Sequence, residues 1–175
     1  MGDPGFAIWL TGLPAAGKST LARGLRQAFL RRGISCVVLD SDDIRAVLTP
    51  EPAYTPEERD WFYHAIGYLT VWLARSGVNV LVAATANRRH YRQYVRDRLE
   101  RFAEVYVHCP LEVARQRDPK DIYAQAAAGQ AQHVPGVDAP YEFPLAPEAQ
   151  VNTVDLEADE AVAALLAQLD EFVVG

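Results

Sequence analysis

Two kinds of hydrophobic pattern alternate along the chain. Short apolar runs rich in β-branched residues predict buried strands, and longer stretches with apolar residues at helical spacing predict helices between them. The predicted strands are 6–10, 36–39, 79–84, 105–108 and a weaker 150–153, and the predicted helices are 19–32, 56–75, 89–101 and 157–172. Such alternation is typical of a three-layer α/β fold with a mainly parallel, five-stranded sheet. Ligands bind such sheets beyond the carboxyl ends of the strands.

One long segment interrupts this alternation. Residues 118–147 contain five prolines and two glycines around a single short helix predicted at 122–128. A segment of this length inside a compact domain is typical of a functional lid or of a disordered stretch. Because Tyr123, Tyr141 and Phe143 give it side chains that can pack, we expect a lid.

Composition and charge narrow the function. With 175 residues, half of them hydrophobic, residues 1–175 are expected to form a single domain. The net charge of −6 disfavours a broad basic surface, so we expect no nucleic-acid or membrane partner and only a local site for a small anion. Cys36 and Cys109 each lie in an apolar run typical of a strand, which favours buried free thiols and a cytoplasmic location. No signal sequence or membrane-spanning run is predicted.

A glycine-rich turn follows the first predicted strand and precedes the first predicted helix. It matches G-x-x-x-x-G-K-[ST], and its residues are Gly12, Leu13, Pro14, Ala15, Ala16, Gly17, Lys18 and Ser19. An ordinary strand-to-helix turn is the alternative, but this context favours a phosphate-binding loop whose backbone N–H groups face the nucleotide. We expect ATP and Mg²⁺ here, with Lys18 on the β- and γ-phosphates, Ser19 on the metal and Thr20 on the α-phosphate.

Three carboxylates follow the second predicted strand, in Asp40, Asp42 and Asp43. A kinase needs one carboxylate near Mg²⁺ and another group that accepts the proton of the attacking hydroxyl. Asp40 or Asp42 could serve either need, and we favour Asp40 for the metal and Asp42 for the acceptor. Helix capping is the competing explanation, above all for Asp43.

Five segments together resemble the adenylylsulfate kinases, which phosphorylate the 3′-hydroxyl of adenosine 5′-phosphosulfate. The segments are 9–12, 39–45, 54–59, 110–120 and 136–142, spread over nearly the whole chain. The resemblance implies a P-loop kinase fold, Mg²⁺ and ATP as cofactors, and a small anionic acceptor.

The resemblance also implies roles for individual residues. It places Arg45 and Arg59 on the anionic group of the acceptor, and Tyr54 on its adenine in place of a family phenylalanine. It places Arg117 and the lid that follows over ATP. Guanidinium groups bind sulfate and phosphate in a bidentate manner, and an aromatic ring offers a base a stacking face. The alternative is that Arg45 and Arg59 are solvated helix residues.

Departures from the family pattern concentrate on the acceptor side. Phe62 stands where the family has an asparagine, Ala86 where it has a serine, and Val134 where it has a phenylalanine over the acceptor base. We expect these three positions to lie at the acceptor site, where a lost stacking ring costs roughly 1–3 kcal/mol of base binding.

Three functional hypotheses follow. The first is transfer of the γ-phosphate of ATP to the 3′-hydroxyl of adenosine 5′-phosphosulfate, with Lys18 and Asp42 as catalytic residues. The second keeps this chemistry with a different nucleotide-linked or polyol acceptor, and the third is nucleotide binding without transfer. The aromatic residues of the segment 61–72 also indicate a possible homodimer.

Overall fold

The computed structural model describes residues 3–175, whose centre is one five-stranded sheet. Its strands are β1 Ala7–Thr11, β2 Cys36–Asp40, β3 Asn79–Ala83, β4 Phe102–His108 and β5 Ala149–Asn152. They lie in the order β2-β3-β1-β4-β5, and all four neighbouring pairs are parallel. The five predicted strands and the α/β class are therefore confirmed.

Helices connect the strands. They are α1 Lys18–Arg31, α2 Ser41–Leu48, α3 Pro56–Arg75, α4 Arg89–Arg96, α5 Leu111–Arg117, α6 Ile122–Ala127 and α7 Ala158–Val174. The short helix α5 had no counterpart among the predicted segments. It begins directly after Pro110, a residue whose ring sets a backbone angle suited to the edge of a helix.

Side chains along β1 point alternately to the two faces of the sheet, and this alternation explains the three layers. Ile8 and Leu10 belong to a buried cluster that includes residues of α1 and α7. Ala7 and Trp9 point to the opposite face, in a cluster with residues of α3 and α4. Successive side chains of a strand point to opposite faces, so the apolar central strand is buried by helices on both sides.

The region between α4 and β4 differs from the sequence prediction. A helix was expected over 89–101, but α4 ends at Arg96 and β4 begins at Phe102, three residues before the predicted start. Phe102 and Ala103 pair with Ala7 and Ile8 of β1. This long-range strand pairing overrides the local helical spacing of the arginines.

The segment 118–147 packs onto the edge of the sheet where the strands end. The hydroxyl of Tyr123 in α6 donates to the carbonyl of Pro14 at 2.9 Å, and the hydroxyl of Tyr141 lies 3.0 Å from Oγ1 of Thr11. Gly136 lies so close to Leu13 that an added Cβ would stand 2.9 Å from its side chain. The segment therefore covers the turn between β1 and α1.

The two cysteines and the character of the helices bear on two further predictions. Cys36 and Cys109 are both free and buried, as predicted, and burial raises the pKa of Cys36 to about 11. Within residues 3–175, none of the helices has the length and apolar character needed to cross a membrane.

Candidate active site

A cleft of about 850 Å³ opens at the carboxyl edge of the sheet. Its wall includes Asp40 at the end of β2, Thr85 after β3 and Thr153 after β5. The segment 118–147 contributes Val134 and Pro135 from above. This is the edge at which a parallel α/β sheet binds ligands, and its volume suits small-molecule binding.

The turn between β1 and α1 has the conformation of a phosphate-binding nest. Ala15 and Gly17 adopt left-handed backbone angles, with φ of 62° and 99°. Gly12 must remain a glycine because a Cβ there would lie 2.3 Å from the carbonyl oxygen of Val107. Gly17 caps α1 without any side-chain hydrogen bond, so the first N–H groups of the helix are left for an anion.

Lys18 folds back over this turn. Its ammonium group donates to the carbonyl oxygens of Gly12 at 3.1 Å and Leu13 at 2.7 Å. Desolvation lowers the pKa of Lys18 to about 8, and the nearby carboxylates of Asp42 and Asp40 offset part of this effect. The side chain is therefore held beside the nest in a position to meet phosphate charge.

The acidic turn is organised by Asp40. Its Oδ1 accepts the backbone N–H of Asp42 at 3.0 Å, and Asp40 is the N-cap of α2. The capping position expected for Asp43 is thus occupied by Asp40, because α2 begins at Ser41. Asp42 lies in the first turn, borders the cleft and forms an ion pair with Lys120.

Ser19 and Asp40 are the candidate metal ligands, and both border the cleft. Residues 3–175 contain no group of three or more His, Cys, Asp and Glu side chains able to hold a metal. A hydroxyl and a carboxylate fit Mg²⁺, which prefers oxygen ligands and commonly binds through one or two protein groups with phosphates and waters completing its shell.

Arg45 is held in place from three sides. This buried residue forms an ion pair with Glu58 at 2.8 Å. Its guanidinium carbon lies 3.7 Å from the ring centre of Phe62 and 4.8 Å from that of Tyr54. Glu58 also accepts the backbone N–H of Ala53 at 2.7 Å. Arg45 is therefore a fixed cation in the cleft wall rather than a solvated helix residue.

Arg59 connects the first turn of α3 to the segment 118–147. Its guanidinium donates to the carbonyl oxygens of Tyr54 at 3.1 Å and His133 at 2.6 Å, and its carbon lies 5.4 Å from the Tyr54 ring centre. Tyr54 takes a left-handed φ of 56°. This residue is 38% exposed and borders the cleft beside both arginines.

Two predicted acceptor residues lie outside the cleft wall. Phe62 and Ala86 are completely buried and do not border the cavity. Phe62 supports Arg45 from behind, and the carbonyl of Ala86 accepts a hydrogen bond from the buried Arg92. Neither side chain can contact a bound acceptor in this conformation, because each is surrounded by other protein atoms.

At the opposite end of the cleft, Arg117 is fixed by Thr153. The guanidinium of Arg117 donates to Oγ1 of Thr153 at 2.9 Å and also to its carbonyl oxygen. Both residues line the cavity together with Leu156 and Ala161, near the start of α7. A cation and small apolar side chains thus border the cleft beyond the phosphate nest.

Most predicted site residues converge on this cavity. Those that border it are Pro14, Ala15, Gly17, Lys18, Ser19, Thr20, Asp40, Asp42, Arg45, Tyr54, Arg59, Arg117 and Val134. Gly12, Leu13 and Ala16 complete the turn beneath it. The sequence reasoning missed Glu58 and Thr153, which hold Arg45 and Arg117. The sequence predicts a helix start at Thr55-Pro56-Glu57-Glu58. This prediction explains why Glu58 lies in the first turn of α3, but not why it pairs with Arg45 in α2.

Comparison with known proteins agrees with this geometry. The family model described as adenylylsulphate kinase matches residues 4–152. A protein of Gloeothece citriformis named adenylyl-sulfate kinase is 42% identical over 171 residues, which cover 98% of this chain and 97% of that protein. A protein of the same name from Microcystis aeruginosa is 41% identical, with 98% and 94% covered.

A solved structure shares the whole fold. The APS kinase of Mycobacterium tuberculosis, in complex with AMPPNP and APS, superposes with a TM-score of 0.88 at 31% sequence identity. The superposition covers 97% of this chain and 99% of that one. The similarity therefore extends over the cleft and the segment that covers it, as well as the sheet.

Proposed function

Since the chain belongs to the adenylylsulfate kinase family, we propose that it transfers the γ-phosphate of ATP to the 3′-hydroxyl of adenosine 5′-phosphosulfate, giving the 3′-phosphorylated product. The observation that carries this proposal is one cleft with a phosphate nest at one end and two fixed arginines beside an aromatic ring at the other. A donor and an anionic, base-containing acceptor can bind there together.

The helix α2 runs between these two ends of the cleft and carries Asp42 and Arg45. Asp42 lies in its first turn, near Lys18, and Arg45 lies in its last turn beside Tyr54. Asp42 would accept the proton of the 3′-hydroxyl as its oxygen attacks the γ-phosphorus in line. The bond from the γ-phosphorus to the β–γ bridging oxygen then breaks, and ADP leaves with that electron pair.

Cations of the cleft stabilise the charge that develops during this transfer. Lys18 would bind the β- and γ-phosphates. Lys120 forms an ion pair with Asp42 and would leave that carboxylate to bind phosphate. Ser19 and Asp40 would hold Mg²⁺, which would supply positive charge against the phosphates when bound. Arg45 and Arg59 would bind the phosphosulfate, and Tyr54 would stack on the adenine.

The segment 118–147 would serve as the lid over both substrates. It already contacts the nest through Tyr123 and Arg59 through His133. A lid excludes water, which would otherwise compete with the acceptor hydroxyl for the γ-phosphate. The free buried thiols support our expectation that this reaction takes place in the cytoplasm.

The test is formation of the 3′-phosphorylated product from ATP, Mg²⁺ and adenosine 5′-phosphosulfate. We expect turnover that falls at least about 100-fold in Lys18→Ala, because one electrostatic contact to the transferring group is lost. Arg115→Ala, which changes an exposed cation outside the cleft wall, is the matched control. Absence of product at saturating acceptor would contradict the assignment.

A second acceptor class is favoured by one observation. Val134, where the family pattern predicts a phenylalanine, is small and borders the cleft, so position 134 offers a base no aromatic face to add to that of Tyr54. A kinase of the same chemistry with a different nucleotide-linked or polyol acceptor would fit this wall. ADP release measured across a panel of acceptors distinguishes the two, and efficient turnover with adenosine 5′-phosphosulfate alone would exclude the alternative.

We also propose that the chain forms a homodimer through α3. Trp61, Tyr68 and Trp72 are each more than half exposed on this helix, although large aromatic side chains favour burial. With the small residue Ala65, they recur at spacings of four, three and four residues, which is the seam of a helix pair.

A further inference from the structure

Thr153 joins three parts of the nucleotide end of the cleft. It follows β5, is 9% exposed and borders the cavity. Its Oγ1 lies 3.1 Å from the carbonyl oxygen of Ala16 and 3.3 Å from that of His108. The same oxygen receives a hydrogen bond from Arg117 at 2.9 Å. Residues of the phosphate loop, β4 and α5 therefore meet at one hydroxyl.

The chemistry of these groups fixes the direction of each hydrogen bond. A guanidinium can only donate, so Oγ1 accepts from Arg117 and has a single proton left for a carbonyl. The carbonyl of Ala16 is the nearer of the two acceptors. Valine, which has the same shape without a hydroxyl, would leave both Arg117 and Ala16 without this partner.

The contact with Ala16 also orients the phosphate loop. The C=O and N–H groups of a planar trans peptide point in opposite directions. Holding the carbonyl of Ala16 on Thr153 therefore directs the N–H of Gly17 away from Thr153. The methyl group of Thr153 stands beneath Gly17, where an added Cβ would be 3.8 Å from it. Thr153 thus restrains the peptide that precedes α1 from two sides.

We propose that Thr153 is a positioning residue that sets both the Ala16–Gly17 peptide and the Arg117 guanidinium for ATP. The inference rests on the proposed ATP-dependent function. Thr153 itself need not touch the nucleotide, because it acts through two groups that would. Its hydroxyl should therefore affect nucleotide binding while leaving the acceptor end of the cleft unchanged.

The experiment compares ADP affinity, by calorimetry, in wild type, Thr153→Val and Thr153→Ser. We expect about tenfold weaker binding in Thr153→Val, the loss expected when a hydrogen bond shared with a charged group is removed. Thr153→Ser keeps the hydroxyl and should bind within about twofold of wild type. The control is Thr70→Val, which removes another buried hydroxyl, bonded to the carbonyl of Ile66 in α3, and should bind like wild type.

Kinetics and a double mutant separate positioning from general loss of stability. Thr153→Val should raise the KM for ATP with the KM for the acceptor unchanged. In Arg117→Ala the further change Thr153→Val should weaken ADP binding less than it does in wild type, since one of its two targets is gone.

The inference is overturned if folded Thr153→Val binds ADP like wild type, or if Thr153→Ser binds as weakly as Thr153→Val. Full additivity with Arg117→Ala would overturn the coupling to that residue. If wild type itself fails to bind ADP, the proposed function is overturned, and this inference with it.

Discussion

The low pKa of Lys18 makes nucleotide binding sensitive to pH. Desolvation beside the phosphate loop brings the pKa of this side chain to about 8 in the ligand-free protein. Phosphate charge placed next to the ammonium favours its protonated form and must raise that pKa. Binding near or above pH 8 is therefore coupled to uptake of a proton, whereas binding at lower pH finds Lys18 already charged.

We predict that ADP affinity is nearly constant between about pH 7, where the terminal phosphate is ionised, and about pH 8, and that it falls above this range by up to tenfold per pH unit. Calorimetry in buffers of different ionisation enthalpy should detect an uptake of about half a proton at pH 8, where the terminal phosphate, with a pKa of about 6, is already ionised.

The control for this pH dependence is Lys18→Arg. Its guanidinium keeps the positive charge throughout this pH range, so the uptake at pH 8 should disappear even if the affinity is lower. Equal proton uptake by Lys18→Arg and wild type would assign the titration to another group.

Among individual residues, local sequence was enough to predict the phosphate loop but not the full role of Phe62. Gly17 is favoured by the left-handed φ of its own turn, whereas Gly12 is also required by the nearby carbonyl of Val107 in β4. Phe62 stands where the family pattern has an asparagine, yet here it packs behind Arg45 and is fully buried. Which side of a helix faces a cleft depends on how α2 and α3 pack, and the local sequence pattern does not show that packing.

At the scale of elements, periodicity predicted the strands well and the helix boundaries less well. The strand β1 is apolar on both faces, so its pattern is unambiguous. The end of α4 and the start of β4 are decided by pairing with β1, which lies far away in the chain. The helix α2 begins earlier than expected because Asp40, rather than Asp43, accepts the amide that caps it.

The helix α6 is tied to the phosphate loop by one hydroxyl. Tyr123 is 5% exposed, and burial raises its pKa, so the phenol is neutral and donates to Pro14 at 2.9 Å. We predict that Tyr123→Phe lowers the free energy of unfolding by about 1 kcal/mol. It should also increase amide hydrogen exchange in α6, because the tie to the loop is lost.

Urea denaturation and hydrogen exchange measured by mass spectrometry test this prediction. The control is Tyr94→Phe, whose hydroxyl has no hydrogen-bond partner among residues 3–175. Unchanged exchange in α6 of Tyr123→Phe would mean that the apolar packing of the ring, and not its hydroxyl, holds the helix on the loop.

At the scale of the whole molecule, α3 has one face in the core and another in solvent. Phe62 and Ile66 face the sheet, while Trp61, Tyr68 and Trp72 are exposed. In the proposed dimer, a two-fold axis crossing the helix near its middle would place Trp61 opposite the partner's Trp72, and Ala65 opposite the partner's Tyr68. The exposed face would then meet its own copy, as an interface between identical subunits requires.

Charge at the ends of α3 favours the same antiparallel arrangement. Exposed Glu57 lies in the first turn and exposed Arg75 in the last, so in the proposed dimer each end would meet an opposite charge on the partner helix. The helix is about 30 Å long, and burial of three large aromatic side chains per subunit would supply an apolar centre of the kind found in stable dimers.

We therefore predict that wild type sediments as a dimer and that Trp72→Glu sediments as a folded monomer, since burial at a two-fold interface would remove the water that solvates the carboxylate and set it against an aromatic ring. Leu30→Glu changes an equally exposed apolar residue on α1 and should remain dimeric.

The cleft lies at the strand ends and receives no residue from the exposed face of α3, so the Trp72→Glu monomer should keep ADP affinity within about twofold of wild type. A monomeric wild type, or a dimer that persists in Trp72→Glu, would show that this face serves another purpose.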